Sequence, residues 1–203
     1  MVHCITNYVT INDVANMILA IGASPIMADD WMEVREITAM CDSLVINMGT
    51  LKQNTVRSML LAGKEANQRG HLVVFDPVGV GASRFRKETA AKLLKQIHFN
   101  VIRGNISEIK TLYEGSDDGY GVDAKKDDAV TEDNLEYVIQ MAKNMAKKTK
   151  AVIVNTPNNP TGVVYSEETI KKLAAIMEEK QKEILEYIKQ SILSHCYPPA
   201  VRE

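Results

Sequence analysis

Cysteine is scarce in this chain: three in 203 residues, Cys4, Cys41 and Cys196, in no C-x-x-C spacing. An odd, scattered set fits reduced thiols of a cytosolic protein rather than a disulfide framework. His195 and Cys196 are neighbours at a helix end, where adjacent side chains do not face each other, so they are not a thiol–imidazole pair. Excess charge is also lacking. The formal net charge is -2, and nothing in that balance points to nucleic acid or an anionic membrane. The lysines from Lys143 to Lys150 alternate with apolar residues, as on a solvated helix face. No apolar run approaches the roughly 18 residues of a membrane span, and no basic segment leads an apolar one at the amino end, so no signal peptide is expected. A Walker A sequence is absent, which excludes a P-loop enzyme. There is no internal repeat, and the length suits one domain.

Short apolar runs alternating with helical patterns are what is present. Strands are expected over Val2–Thr6, Ser24–Ala28 (buried), Ser43–Asn47, Leu72–Phe75, Phe99–Ile102 and Lys150–Val154. Helices are expected from Thr10 or Asn12 to Ile21, over Trp31–Cys41, Gln53–Arg69, Arg86–Ile97, from Asn105, and over Thr131–Lys148 with Leu135, Val138, Ile139 and Met145 inward. Such alternation predicts βαβ units and a doubly wound, mostly parallel α/β sheet with helices on both faces. Gly63 falls inside a helix, where it costs roughly 1 kcal/mol against Ala unless another backbone packs closely there. Glu114–Asp128, rich in Gly and Asp, reads as a surface loop. Asn155–Gly162 is a dense turn signal, and Ser166 caps a long amphipathic helix to about His195 that could project or pair with another subunit. The expected division is an α/β body over 1–154 and a turn plus long helix over 155–203 that is not an independent domain.

The chemistry gathers between His71 and Leu112. One apolar run ends in Asp76-Pro-Val-Gly79-Val-Gly81; the next ends in Arg103-Gly-Asn105-Ile-Ser-Glu108 and opens a helix. Both strand ends would face one crevice at the carboxyl edge of the sheet, where such folds bind ligands. Asn105 and Glu108 have the spacing of a capping box. They also have the makings of a phosphate site at a helix N-terminus, with Glu108 near magnesium. Arg103 favours the second reading, because a guanidinium grips phosphate bidentately. Asp76 suits a hydrated magnesium, or a plain strand-to-loop transition. Together they are evidence for phosphoryl transfer.

Five segments in order, Val2–Asn7, Ala20–Ala28, Val45–Thr50, Asp76–Ala82 and Ile102–Glu108, resemble the hydroxyethylthiazole kinase family of thiamine biosynthesis and salvage over about residues 2–154. The resemblance implies a ribokinase-like fold, cytoplasmic location, a homotrimer with sites at subunit interfaces, and ATP with magnesium as co-substrate and ion. The reaction implied is phosphorylation of the hydroxyl of 4-methyl-5-(2-hydroxyethyl)thiazole. By motif, Asn7 and Met27 would contact the thiazole, Arg103 and Thr156 the ATP, and Asp76 and Glu108 would work around magnesium. In the family a Gly-x-Gly-Cys loop then opens a helix, forms the anion hole and supplies the residue beside the attacking hydroxyl. No such loop follows Gly162, so the fold is expected to be truncated, no catalytic residue is assigned, and binding is expected to outlast turnover.

The segment that stands there, Ala151 to Ile170, resembles a strand, turn and helix of fold-type I PLP-dependent aminotransferases, a likeness extending over about residues 150–184. Asn159 would bond the cofactor's phenolic oxygen. A PLP site also needs a Schiff-base Lys and an Asp for the pyridinium nitrogen. No Asp follows Asp133, and the later lysines share one predicted helix. PLP is therefore not expected, and the chain reads as a composite, a kinase-like body with an aminotransferase-like segment appended. Three classes follow: a kinase, a non-catalytic nucleotide- and thiazole-binding protein and, least favoured, a PLP enzyme.

Overall fold

The computed structural model describes residues 1–114, 135–147 and 149–154. The segment 155–203, with Thr156, the turn and the long helix, lies outside the described residues, as do residues 115–134.

Among the described residues six strands form one parallel sheet: β1 (Val2–Ile5), β2 (Pro25–Ile26), β3 (Ser43–Asn47), β4 (Leu72–Asp76), β5 (Val101–Gly104) and β6 (Ala151–Val154). Their order is β2-β1-β3-β4-β5-β6. The helices are α1 (Ile11–Ala20), α2 (Val34–Met40), α3 (Gln53–Arg69), α4 (Arg84–Gln96), α5 (Ile106–Glu114) and α6 (Leu135–Ala146), with a 3-10 turn at Val80–Ala82. The chain steps from β1 to β2 in one direction and from β3 to β6 in the other. Right-handed crossovers then set α1 on one face and the remaining helices on the other. Packing agrees, running α2 on α3, α3 on α4, α4 on α5 and α5 on α6.

The hydrophobic core lies between the sheet and that second group of helices. Leu44 and Ile46 from β3, Val73 and Phe75 from β4 and Ile102 from β5 meet Met59, Ala62 and Ala66 of α3, Leu93 of α4, Ile109 of α5 and Met141 of α6. Phe75 stacks on Phe99 with ring centroids 4.6 Å apart. His3 on β1 points the same way and is fully buried. Its Nδ1 pairs with Thr38 Oγ1 and its Nε2 with the Ala28 carbonyl, each at 2.8 Å. The alternate residues Cys4, Val45, Val74, Val101 and Ala151 are in register across five strands on the opposite face. Cys4 is buried and the other four are half-buried.

Several boundaries differ from expectation. The strand expected over 24–28 is two residues long and half-buried, because β2 is the sheet's edge and Pro25 has no N–H to give a ladder. The helix expected from Trp31 begins at Val34. Asp30 holds a turn ahead of it, its Oδ1 accepting from the Met32 N–H at 2.8 Å. The strand expected at Phe99 begins at Val101, because Asn100 brackets Val73, donating to its carbonyl at 2.9 Å and accepting from its N–H at 2.7 Å. Helix α4 starts at Arg84, two residues earlier than expected, with Ser83 as its side-chain cap. In α6, Met141 is the deeply buried residue and Ile139 is half-buried. Helix α3 has the expected ends, with Gly70 closing it in the left-handed conformation. Among the described residues no helix is long and apolar enough to cross a membrane.

Candidate functional site at the carboxyl edge of the sheet

Strand β3 ends in Asn47 and β4 in Asp76, opposite each other in register. Both lie two residues past Val45 and Val74, on the face away from the main core. Arg103, two residues past Val101, takes the next place on β5. A strand's period of two thus turns three apolar positions into a row of polar ones at the carboxyl edge. Asp76 Oδ2 accepts from Asn47 Nδ2 at 2.9 Å and from Arg103 Nη1 at 2.7 Å. A carboxylate only accepts, so the Asn47 amide nitrogen must face it and Asn47 Oδ1 is turned towards β1. There it accepts from Asn7 Nδ2 at 3.2 Å and from the Gly49 N–H at 2.8 Å. The relay Asn7–Asn47–Asp76–Arg103 therefore starts between β1 and β3, where the strand order reverses, the usual place for a ligand crevice.

Close approach requires glycine at 49. A Cβ there would sit 2.5 Å from the Asn7 Cβ and 2.9 Å from Asn47 Oδ1. Asn7 is held from its other side too: its Oδ1 accepts from the Val9 and Thr10 amides at 3.0 Å and from the Thr10 hydroxyl at 3.1 Å. It holds the turn that leads into α1 and is a member of the relay at once. Met27 lies at the carboxyl end of β2, half-buried. The Tyr8 hydroxyl donates to Asp29 at 2.9 Å, tying the loop after β1 to the loop after β2. Met27 and Asn7 thus occupy adjacent loops.

Glu108 joins from α5. The two readings of Asn105-x-x-Glu108 are compatible, because the capping box is formed. Asn105 Oδ1 accepts from the Glu108 N–H at 2.9 Å and Glu108 Oε2 accepts from the Asn105 N–H at 2.8 Å. The other oxygen, Oε1, accepts from the Gly79 N–H at 2.8 Å. Gly79 presents that amide from a left-handed conformation, φ 62°. The cap thereby carries a carboxylate across to the loop after Asp76.

Both acids are strained electrostatically. Burial pushes the Asp76 carboxyl above its ordinary value, although the charge and hydrogen bond of Arg103 and the bond from Asn47 pull it back. Burial likewise raises Glu108, the Gly79 and Asn105 amides oppose this, and the negative charge of Asp76 raises it further. Two carboxyls held high by burial, one of them raised further by the charge of the other, favour a cation placed between them and solvent. Arg103 is half-exposed while the Asp76 side chain is 11% exposed, so Arg103 has donors to spare for a ligand. Among the described residues no group of three His, Cys, Asp or Glu forms a metal cage.

The structure thus brings Asn7, Asp76, Arg103 and Glu108 together, sets Met27 on the neighbouring loop, and leaves Thr156 outside the described residues. Sequence reasoning assigned no role to Asn47, although a polar amide closing an apolar strand was a signal. It named Gly79 only as part of a glycine motif, because the bond from its amide to Glu108 leaves no mark in the sequence.

A doubly wound parallel sheet with an acid–amide–guanidinium row at its carboxyl edge defines an α/β protein of the ribokinase-like fold. A family model described as the hydroxyethylthiazole kinase family matches residues 1–170. The chain belongs to the hydroxyethylthiazole kinase family. That match runs past Val154 into the segment likened to aminotransferases, a likeness that none of these comparisons supports. The hydroxyethylthiazole kinase of Clostridium acetobutylicum is 59% identical over 156 residues, which are 77% of this chain and 57% of that protein. That of Desulfovibrio desulfuricans is 53% identical over 154 residues, 76% of this chain and 54% of that protein. The solved hydroxyethylthiazole kinase of Pyrococcus horikoshii OT3 superposes with a TM-score of 0.62 at 35% identity, covering 76% of this chain and 54% of that one. The chain spans little more than half the length of these relatives.

Proposed function

We propose that the carboxyl edge of the sheet binds ATP with magnesium and the alcohol 4-methyl-5-(2-hydroxyethyl)thiazole, as the first half of a kinase site of thiamine biosynthesis or salvage. The observation that carries this is the unbroken relay from Asn7 through Asn47 and Asp76 to Arg103. Asn7 and Met27 would hold the thiazole at the β1/β2 end. Arg103, with Thr156, would hold the ATP phosphates, and Asp76 and Glu108 would hold the ion. Bound there, magnesium would neutralise charge on the phosphates. The chain's own residues orient the partners: Asn47 fixes the Asp76 carboxylate, and Gly79 fixes that of Glu108.

Phosphoryl transfer would depend on the charge that these residues position around the transferring group. Coupled ADP release with the thiazole alcohol tests it; a folded protein releasing no thiazole-dependent ADP is a binder and not a kinase. ATP-dependent thermal stabilisation, abolished by Arg103→Ala, would place the nucleotide at this site. A homotrimer would also cover the apolar residues in and beside α1, where Val9 is 88% exposed, Ile21 75% and Met17 66%. We place the protein in the cytoplasm. PLP has no role in this reading, and added PLP should give no internal-aldimine absorbance.

A further inference from the structure

Arg86 belongs to the first turn of α4, outside every motif singled out above. Its guanidinium spends three hydrogen bonds on main-chain carbonyls. Nη1 donates to Met48 at 2.5 Å and to Val78 at 2.7 Å, and Nη2 donates to Gly49 at 2.7 Å. Met48 and Gly49 follow β3, and Val78 follows β4. Past the last paired residues, Asn47 and Asp76, these strands run out of ladder and their carbonyls need other partners. The planar fork of an arginine can reach several carbonyls at fixed spacing; the compact ammonium of a lysine cannot.

We propose that Arg86 is a positioning residue that locks the loop after β3 to the loop after β4 and so holds the two halves of the site in register. The proposal rests on the reading of the site given under Proposed function. The loop after β3 carries Gly49, which packs against Asn7 and donates to Asn47 on the thiazole side. The loop after β4 carries Gly79, which donates to Glu108 on the phosphate side. The same Nη1 atom bonds a carbonyl of each loop, so neither loop can shift without disturbing the other. Arg86 Nη1 is also 3.8 Å from where a Cβ on Gly79 would lie, which puts the clamp directly beneath the turn that presents the Glu108 partner.

Residue-resolved amide exchange on the ligand-free protein tests this independently of any ligand. In Arg86→Lys and Arg86→Met the Gly49 and Gly79 amides should both exchange about tenfold faster or more, as expected for loss of charge-assisted bonds. The amides of Ile46 and Phe75 should keep their protection. Unchanged Gly49 and Gly79, a change at one of them alone, or equal loss through β3 and β4 would each overturn the clamp, the last by making Arg86 a residue of the fold. Binding adds a second reading. MgATP and the thiazole alcohol should weaken together in Arg86→Lys, and weakening of one ligand alone overturns the joint role. Failure of the unsubstituted protein to bind either ligand would refute the proposed function, while the exchange result would still decide the clamp.

Discussion

The two faces of the sheet are built from the same strands and do different work. Towards α2–α6, Leu44, Ile46, Val73, Phe75 and Ile102 are at most 2% exposed. On the other face Val45, Val74, Val101 and Ala151 are half-buried, and the next residues along those rows are Asn47, Asp76 and Arg103. Phe75 and Asp76 are neighbours in sequence yet serve opposite faces. Fold and site are thus separable by the pleat, one residue at a time.

The sharpest test compares neighbours across that divide. Phe75→Ala should cost about 3–5 kcal/mol of unfolding free energy, the usual range for emptying a packed aromatic site. Val74→Ala, half-buried on the other face, should cost about 1 kcal/mol, a partial share of its transfer free energy. Urea titration of both variants measures the gap. Equal losses would show that the second face is packed as tightly as the first.

On the site face the larger effect should fall on binding. Arg103→Ala removes a charge-assisted bond to Asp76 and the proposed grip on phosphate. Nucleotide affinity should drop by about 2 kcal/mol, within the range for hydrogen bonds to charged groups. Stability should change by under about 1 kcal/mol, because Arg103 is 49% exposed and its ion pair is screened by solvent. Calorimetric titration and thermal melting read the two separately. Lost stability with intact affinity would reverse the assignment of this face.

The sequence showed some of this plainly and hid the rest. Strands, helices and the ends of α3 follow from periodicity and from Gly70. The acid, the arginine and the capping box were visible as motifs because each closes an apolar run. Which face each residue serves was not visible. Parallel strands between two layers read as continuous apolar runs, so Leu72-Val-Val-Phe75 carries no alternation to tell Val74 from Phe75. Register, which sets Asn47 beside Asp76, is a property of two strands together. Asn100 likewise looked like part of a strand, and only its bonds to Val73 show why the ladder starts at Val101.

The two faces should also answer pH in opposite senses. Burial lowers His3, on the core face, below its ordinary 6.5. The unfolded chain then takes up a proton before the folded one, so this contribution is full above about pH 6.5 and is lost as pH falls towards the folded value. Asp76 and Glu108, on the site side, are raised. The folded state keeps their protons longer, so their contribution improves as pH falls from neutral through the folded values. His3→Gln should remove the decline below about pH 6.5, and Asp76→Asn should reduce the acid-side gain. Urea midpoints across that range measure both. A decline that persists in His3→Gln would assign it elsewhere.

The smallest effect concerns Gly63 in α3, which the sequence leaves as a cost to the helix unless another backbone packs closely there. The structure shows a side chain instead: a Cβ at 63 would overlap Ile97 Cδ1 and lie 2.8 Å from its Cγ1, and Ile97 is buried in the core. Alanine gains about 1 kcal/mol of helix propensity but meets an overpacking cost of about 1–3 kcal/mol. Gly63→Ala should therefore be destabilising by about 1 kcal/mol, against the sign that propensity alone gives. Removing the overlapping methyl isolates the cause. In Gly63→Ala combined with Ile97→Val, the loss should be smaller than the sum of the single losses by about 1 kcal/mol, since contacting residues couple. Additive losses would mean that the core face yields at Ile97, and that its close packing is softer than that of the strands beneath it.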